Sequence, residues 1–242
     1  MTDHVHDLRS VREATDRLLT AVAKLDNAAL AEESHLPGWT RGHILAHLAR
    51  NADALVNVFE GRPMYESASA RDADIARDSG RPLEEHLTDL RDSGSAFLAT
   101  TEPDQDWSRT VELRNGVTDL AANVPFRRLV EVELHHVDLN IGYGLGDLPA
   151  EFTDREITFL ADRWSGRPDV PPVTLRLGSE NPENAESPES PAPTWHTGGT
   201  EGTPVVLTGT GDALLGWLAG RGDRGARLTV LEGGRLPELP PL

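Results

Sequence analysis

The sequence predicts two folds in succession, an antiparallel four-helix bundle over residues 1–167 and a small α+β domain over residues 168–242. Three observations carry this. Four long segments before Trp164 place apolar residues at helical spacing, and three segments after it alternate or run apolar with β-branched residues. Between the first two of those strands lies an acidic, proline-rich stretch, "SENPENAESPESPAP". A chain of 242 residues is long for one domain and short for two large ones, which suits a bundle with a smaller partner.

Residues from about 5 to 31 form the first helix, with Val11, Leu18, Val22 and Leu25 at helical spacing. "LPGWTRGHILAHLARNADALVNVF" is the second: Pro37 and Gly38 punctuate its approach and Thr40 can cap its N-terminus. A loop is expected from about Gly61 to Arg81. The third helix runs from about Pro82, a first-turn proline, to Thr100, with Leu83, Leu87, Leu90, Phe97 and Leu98 on its apolar side. "TVELRNGVTDL" reads as a hairpin turning at Asn115 and Gly116. The fourth helix spans about Pro125 to Tyr143, and "TDREITFLADRW" is a fifth, counted with the bundle. Beyond Trp164, "PPVTLRLG", "PVVLTGT" and "ARLTVLEG" are strands, and "GDALLGWLAGRG" is a helix closed by glycine. The acidic stretch reads as a disordered hairpin loop, and the domain boundary falls near 166 to 171.

Composition excludes several classes. A formal charge of −17 would repel a polyanion and gives no footing on an anionic membrane, so neither nucleic acid nor membrane is expected as a partner. No run approaches the roughly 20 apolar residues of a membrane span, and "MTDHVHDLRS" lacks the features of a signal peptide. A soluble, cytoplasmic monomer is the expectation. The chain has no cysteine, so any metal must be held by His, Asp and Glu, and any thiol chemistry must use a thiol from outside.

Polar residues crowd the fourth helix in "RRLVEVELHHVDLN". With Val130 set at zero and about 100° per residue, Leu134 and Val137 lie near it while Val132 and Leu139 lie near 180° to 200°. Glu131, His135 and Asp138 then fall at about 80° to 140°, a polar stripe between apolar walls. Glu133, His136 and Asn140 occupy about 240° to 300°, read as the solvent face. Buried charges must be paired or metal-bound, and Glu131 and His135, four residues apart, can converge on one point. An internal Glu–His hydrogen bond is the plainer alternative.

The second helix offers a partner. His47 lies at the edge of its apolar arc, with His43 further out beside Arg50. His47 alone reads as a satisfied core histidine sooner than as a ligand. With Glu131 and His135 it would make a two-histidine, one-carboxylate site with open positions, the form of a catalytic metal site acting as a Lewis acid. Asp138 could support it, or simply be a surface charge.

"GWTRGHILAHLARNADAL", "RPMYESASARDADI" and "RRLVEVELHHVDLNIGYGLGDLP", in this order, resemble the mycothiol-dependent maleylpyruvate isomerase family. The resemblance implies a DinB-like metal-binding bundle and a small α+β module. It implies Zn²⁺ held by the second histidine of "HxxxH" and by the Glu and His of "ExxxH", here His47, Glu131 and His135. It implies a functional arginine at the end of a C-terminal-domain helix, in a "GRG"-like stretch, here Arg221, whose plain reading is a cation at a helix C-terminus. Met64, Tyr65 and Arg71 match a substrate-side segment, or are ordinary loop packing. The implied reaction is cis–trans isomerisation of maleylpyruvate to fumarylpyruvate in gentisate degradation, with zinc and mycothiol as cofactors. Arg221 would hold one carboxylate of a small dicarboxylate substrate. Mycothiol S-transfer to another electrophile, or non-catalytic metal or thiol binding in stress, are the alternatives.

Overall fold

The computed structural model describes residues 3–101, 105–178 and 192–240. The chain divides into two compact units, Met1–Tyr143 and Gly144–Leu242.

In the first unit, α1 (His4–Val22), α2 (Arg41–Phe59), α4 (Leu83–Thr100) and α5 (Val124–Asp138) close a ring: α1 packs on α5, α5 on α2, α2 on α4, and α4 on α1. Helices α1 and α2 start where their own residues satisfy otherwise unbonded first-turn N–H groups. Asp3 accepts from the His6 amide, and Thr40 and His43 form a reciprocal capping box on α2. Proline has no such side chain, so α4 borrows one: Asn27 Oδ1 accepts from the Leu83 amide at 2.7 Å. The first helix ends sooner than expected, at Val22, and Ala29–Ala31 form a separate 3₁₀ turn. The cause is local, because Asp26 accepts from the Ala29 amide at 2.8 Å and competes with helical bonding.

Where a loop was expected after Gly61, the chain forms α3 (Ala68–Asp78) against α2. Its only buried side chains are Ile75 and Asp78, so it carries almost no apolar periodicity. Ser67 caps its start, accepting from the Ala70 amide. Asp78 anchors its end, bound by Arg50 at 2.6 Å, Arg77 at 2.8 Å and Arg81 at 2.8 Å. The contact between α2 and this end is close: a Cβ on Gly42 would sit 2.1 Å from the Ser79 carbonyl oxygen. The hairpin β1 (Thr110–Glu112) and β2 (Thr118–Leu120) is antiparallel, turning through Asn115 (φ 62°) and Gly116 (φ 71°), both left-handed as the sequence predicts.

In the second unit, β3 (Val173–Leu177), β4 (Thr194–Thr197), β5 (Val205–Gly209) and β6 (Thr229–Glu232) form one sheet in the order β4-β3-β5-β6. β3 and β5 are parallel, and the outer pairings are antiparallel. β4 is a strand the sequence reading passed over. The disorder expected of the acidic stretch concerns residues 179–191, outside the described residues.

Helix α7 (Gly211–Ala219) follows β5 and ends on Gly220 at φ 66°, the left-handed cap expected there. The fifth predicted helix, α6 (Ala150–Trp164), belongs with this unit and not with the bundle. It packs on α7 and β4: Trp164 Nε1 donates to the Leu218 carbonyl at 3.3 Å, and Thr197 Oγ1 to that of Ala161 at 2.7 Å. Amphipathic spacing shows that a helix is covered on one side but not by what. Among the described residues no helix is long and apolar enough to cross a membrane.

Candidate metal centre

His47 from the middle of α2 and Glu131 and His135 from successive turns of α5 meet between the two helices. His47 Nε2 lies 2.9 Å from Glu131 Oε2, and His135 Nε2 lies 3.2 Å from the same oxygen. The imidazoles stand edge to face, 4.7 Å between centroids, and one ligand atom from each of the three residues falls within 4.8 Å of the others. Zn–N and Zn–O bonds of 2.0–2.2 Å in a tetrahedral site put neighbouring ligand atoms about 3.4 Å apart. The donor set therefore fits a divalent ion, and the two histidine–glutamate separations, 2.9 and 3.2 Å, lie within a few tenths of an ångström of that spacing. Glu131 keeps 34% of its side chain accessible, leaving an open side on which a small molecule could approach.

Electrostatics around the cluster are strongly coupled. Burial opposes ionisation of Glu131, but the bonds from His135 and His47 overcome it and hold the carboxyl well below the usual range. Burial pushes His47 down to about 4, only partly offset by Glu131, so this ring is neutral at pH 7. For His135, burial is outweighed by bonds to Asp138 and Glu131, and its pKa is raised. Asp138 is fully buried, with Oδ2 at 2.9 Å from His135 Nδ1, the arrangement in which a carboxylate fixes the orientation of a ligating ring.

Tyr65 and Arg71 also reach this place. Arg71, in the first turn of α3, lies over the Tyr65 ring at 5.9 Å and sets Nη2 at 3.2 Å from His47 Nδ1. Trp39 lies edge-on to His47 at 5.5 Å. His43 is turned aside into the cap, its Nδ1 at 2.8 Å from Thr40 Oγ1. Met64 instead lines a cavity of about 460 Å³ with Tyr65, Arg109 and Arg114, between the start of α3 and the β1–β2 hairpin.

Arg128 escaped the sequence reading. It is 2% exposed, and Nη1 spans from α5 to the Leu48 carbonyl at 2.9 Å and Asn51 Oδ1 at 2.7 Å on α2. Burial pulls its pKa down to about 10 against the attraction of Glu131, Tyr65 and Asp53. The signal was available, since Arg128 lies at about 160° on the helical wheel, between the stripe that ends at His135 and the apolar arc of Val132.

The expected solvent face of α5 is corrected. Glu133 and His136 are buried, at 1% and 2% exposure, and only Asn140 is open. α1 covers that arc: Arg17 donates to Glu133 at 2.5 Å, the Tyr143 hydroxyl donates to Glu133 at 3.0 Å, and His136 stacks on Tyr143 at 4.0 Å.

In the second unit Arg221 follows the α7 cap. Its amide donates to the Gly216 carbonyl at 2.8 Å and its Nη1 to that of Ala219 at 3.1 Å, so the guanidinium sits at the negative end of the helix.

A helical bundle with a His₂Glu cluster between two of its helices, followed by a small α+β unit, defines the class. The family model described as the mycothiol maleylpyruvate isomerase N-terminal domain matches residues 11–140, and that described as the MDMPI C-terminal domain matches residues 147–241. The chain belongs to the mycothiol-dependent maleylpyruvate isomerase family. It is similar to a solved crystal structure of the mycothiol-dependent maleylpyruvate isomerase, with a TM-score of 0.81 and 26% identity over 99% of this chain and 97% of that one. A histidine-to-alanine mutant of that enzyme matches with the same values. No curated protein matches the chain.

Proposed function

We propose that this protein is a mycothiol-dependent, zinc-assisted isomerase that converts maleylpyruvate to fumarylpyruvate in gentisate degradation. The observation that carries the reading is the single oxygen of Glu131 shared by His47 and His135 in a chain of this family. His47, Glu131 and His135 would hold Zn²⁺, with Asp138 orienting His135 through Nδ1. When bound, zinc and mycothiol together supply a thiolate that adds reversibly to an activated cis double bond and lets it turn to trans.

The protein's own part is to bind and orient. The two neutral imidazoles and one carboxylate leave net positive charge on a divalent ion, and Arg128 adds a buried cation one turn from Glu131, so the cleft favours anions. Arg221, at the position matching the family's arginine, would grip one carboxylate of the substrate with two hydrogen bonds. Tyr65, beside Arg71, would line the substrate side.

The test is direct: maleylpyruvate, mycothiol and the zinc-loaded protein are mixed and fumarylpyruvate is followed. Formation well above the thiol-alone background, with turnover lost but zinc retained in Arg221→Ala, is the expected outcome. A rate equal to background would overturn the isomerase reading in favour of thiol transfer to another electrophile.

A further inference from the structure

We propose that Arg71 is a latch on His47 which has to open before that histidine can ligate a metal; the inference rests on the metal reading of the cluster. A guanidinium carries only N–H donors, so the contact from Arg71 Nη2 to His47 Nδ1 at 3.2 Å makes Nδ1 the bare nitrogen of this ring. A neutral imidazole has one hydrogen, which therefore sits on Nε2 and is donated to Glu131 Oε2 at 2.9 Å. Ligation through Nε2 needs that lone pair, so the ring hydrogen has to stand on Nδ1 instead. There it would face the N–H groups of Arg71, donor against donor. The ring gains and loses no proton overall: its hydrogen changes nitrogen, and Arg71 has to leave.

His135 is built the opposite way. Its Nδ1 faces a carboxylate oxygen of Asp138 at 2.9 Å, which accepts a hydrogen there and keeps it there when Nε2 takes a metal. The Nδ1 side of His135 is thus set for ligation through Nε2, and the Nδ1 side of His47 is set against it. Arg71 has somewhere to go, because Nη1 already bonds the exposed Asp72 carboxylate at 2.8 Å. It is carried by α3, which is fastened to α2 mainly at the far end, through Asp78. Arg71 is thus a positioning residue that sets how readily the site loads.

The test compares Zn²⁺ affinity of the full chain, by competition with a chromophoric chelator, in wild type and Arg71→Met, alongside imidazole ¹⁵N spectra of the metal-free and zinc-loaded wild type. The variant should bind Zn²⁺ about tenfold more tightly, the worth of one charge-assisted hydrogen bond. His47 should carry its hydrogen on Nε2 without metal and on Nδ1 with it, while His135 keeps Nδ1–H throughout. Equal or weaker zinc binding by Arg71→Met would overturn the latch. So would a metal-free wild type with His47 already protonated on Nδ1, since any gain would then come from removing a nearby positive charge. A wild type that binds no Zn²⁺ would overturn the metal reading along with it, whereas one that binds Zn²⁺ but fails these comparisons overturns the latch alone.

Discussion

On one side of α5, Glu131 accepts from two imidazoles, one on its own helix and one on α2. On the other side, two residues along, Glu133 accepts from Arg17 of α1 and from the Tyr143 hydroxyl, while His136 stacks on Tyr143. Both pairs are glutamate and histidine, both lie between packed helices, and only one makes a ligand set. The difference is in the donors. An imidazole that gives up its hydrogen becomes a metal ligand, whereas a guanidinium cannot, so Arg17 closes the second carboxylate as a salt bridge. The carboxyl groups show the same split: Glu131 is held well below the usual range, while burial pushes Glu133 above it despite Arg17 and Tyr143.

The largest effect should come from swapping one amide into each side. Glu131→Gln keeps the shape but removes the anionic ligand, and the purified variant should retain no Zn²⁺ after dialysis. Glu133→Gln should retain about one ion per chain, the content expected of wild type. Metal content by atomic emission reads both, and full occupancy in Glu131→Gln would remove the distinction between the two sides.

Asp138→Asn should be milder. It leaves all three ligands but replaces the carboxylate that orients His135, a change that typically costs about 10- to 100-fold in metal affinity. Chelator competition would measure it. An unchanged affinity would mean that helix packing alone orients His135.

The two sides of α5 were not equally legible in the sequence. The wheel shows apolar residues on opposite arcs, Val130, Leu134 and Val137 against Val132 and Leu139, which means that two neighbours cover the helix. With both covered, neither intervening polar arc need face water, and what decides Glu133 is Arg17, more than a hundred residues earlier on α1. No local pattern carries that. Thr40 and the Asn115–Gly116 turn were legible because caps and left-handed turns are written within a few residues. α3 was illegible for the converse reason: its stability lies in ion pairs around Asp78 and hardly in apolar spacing, so Arg71 could not be placed against His47 beforehand. The meeting of His47 with Glu131 and His135 was readable from two separate wheels together with the family motifs, because each helix holds its residue on a fixed face.

The smallest expected effect is on how stability varies with pH, and it belongs to the structural side alone. A carboxyl whose folded pKa is raised binds its proton more tightly in the native state than in the unfolded chain. For Glu133 this favours folding in full below the ordinary value of 4.5 and fades as pH rises through the folded pKa. Wild type should therefore lose a component of stability on going upward from about pH 4.5 that Glu133→Gln does not lose. Urea midpoints taken in metal-free protein at several pH values would show the wild-type midpoint falling relative to that of the variant as pH rises. A variant curve parallel to wild type across that interval would mean that Arg17 and the Tyr143 hydroxyl compensate the burial of Glu133 completely, leaving it as well served in its salt bridge as in water.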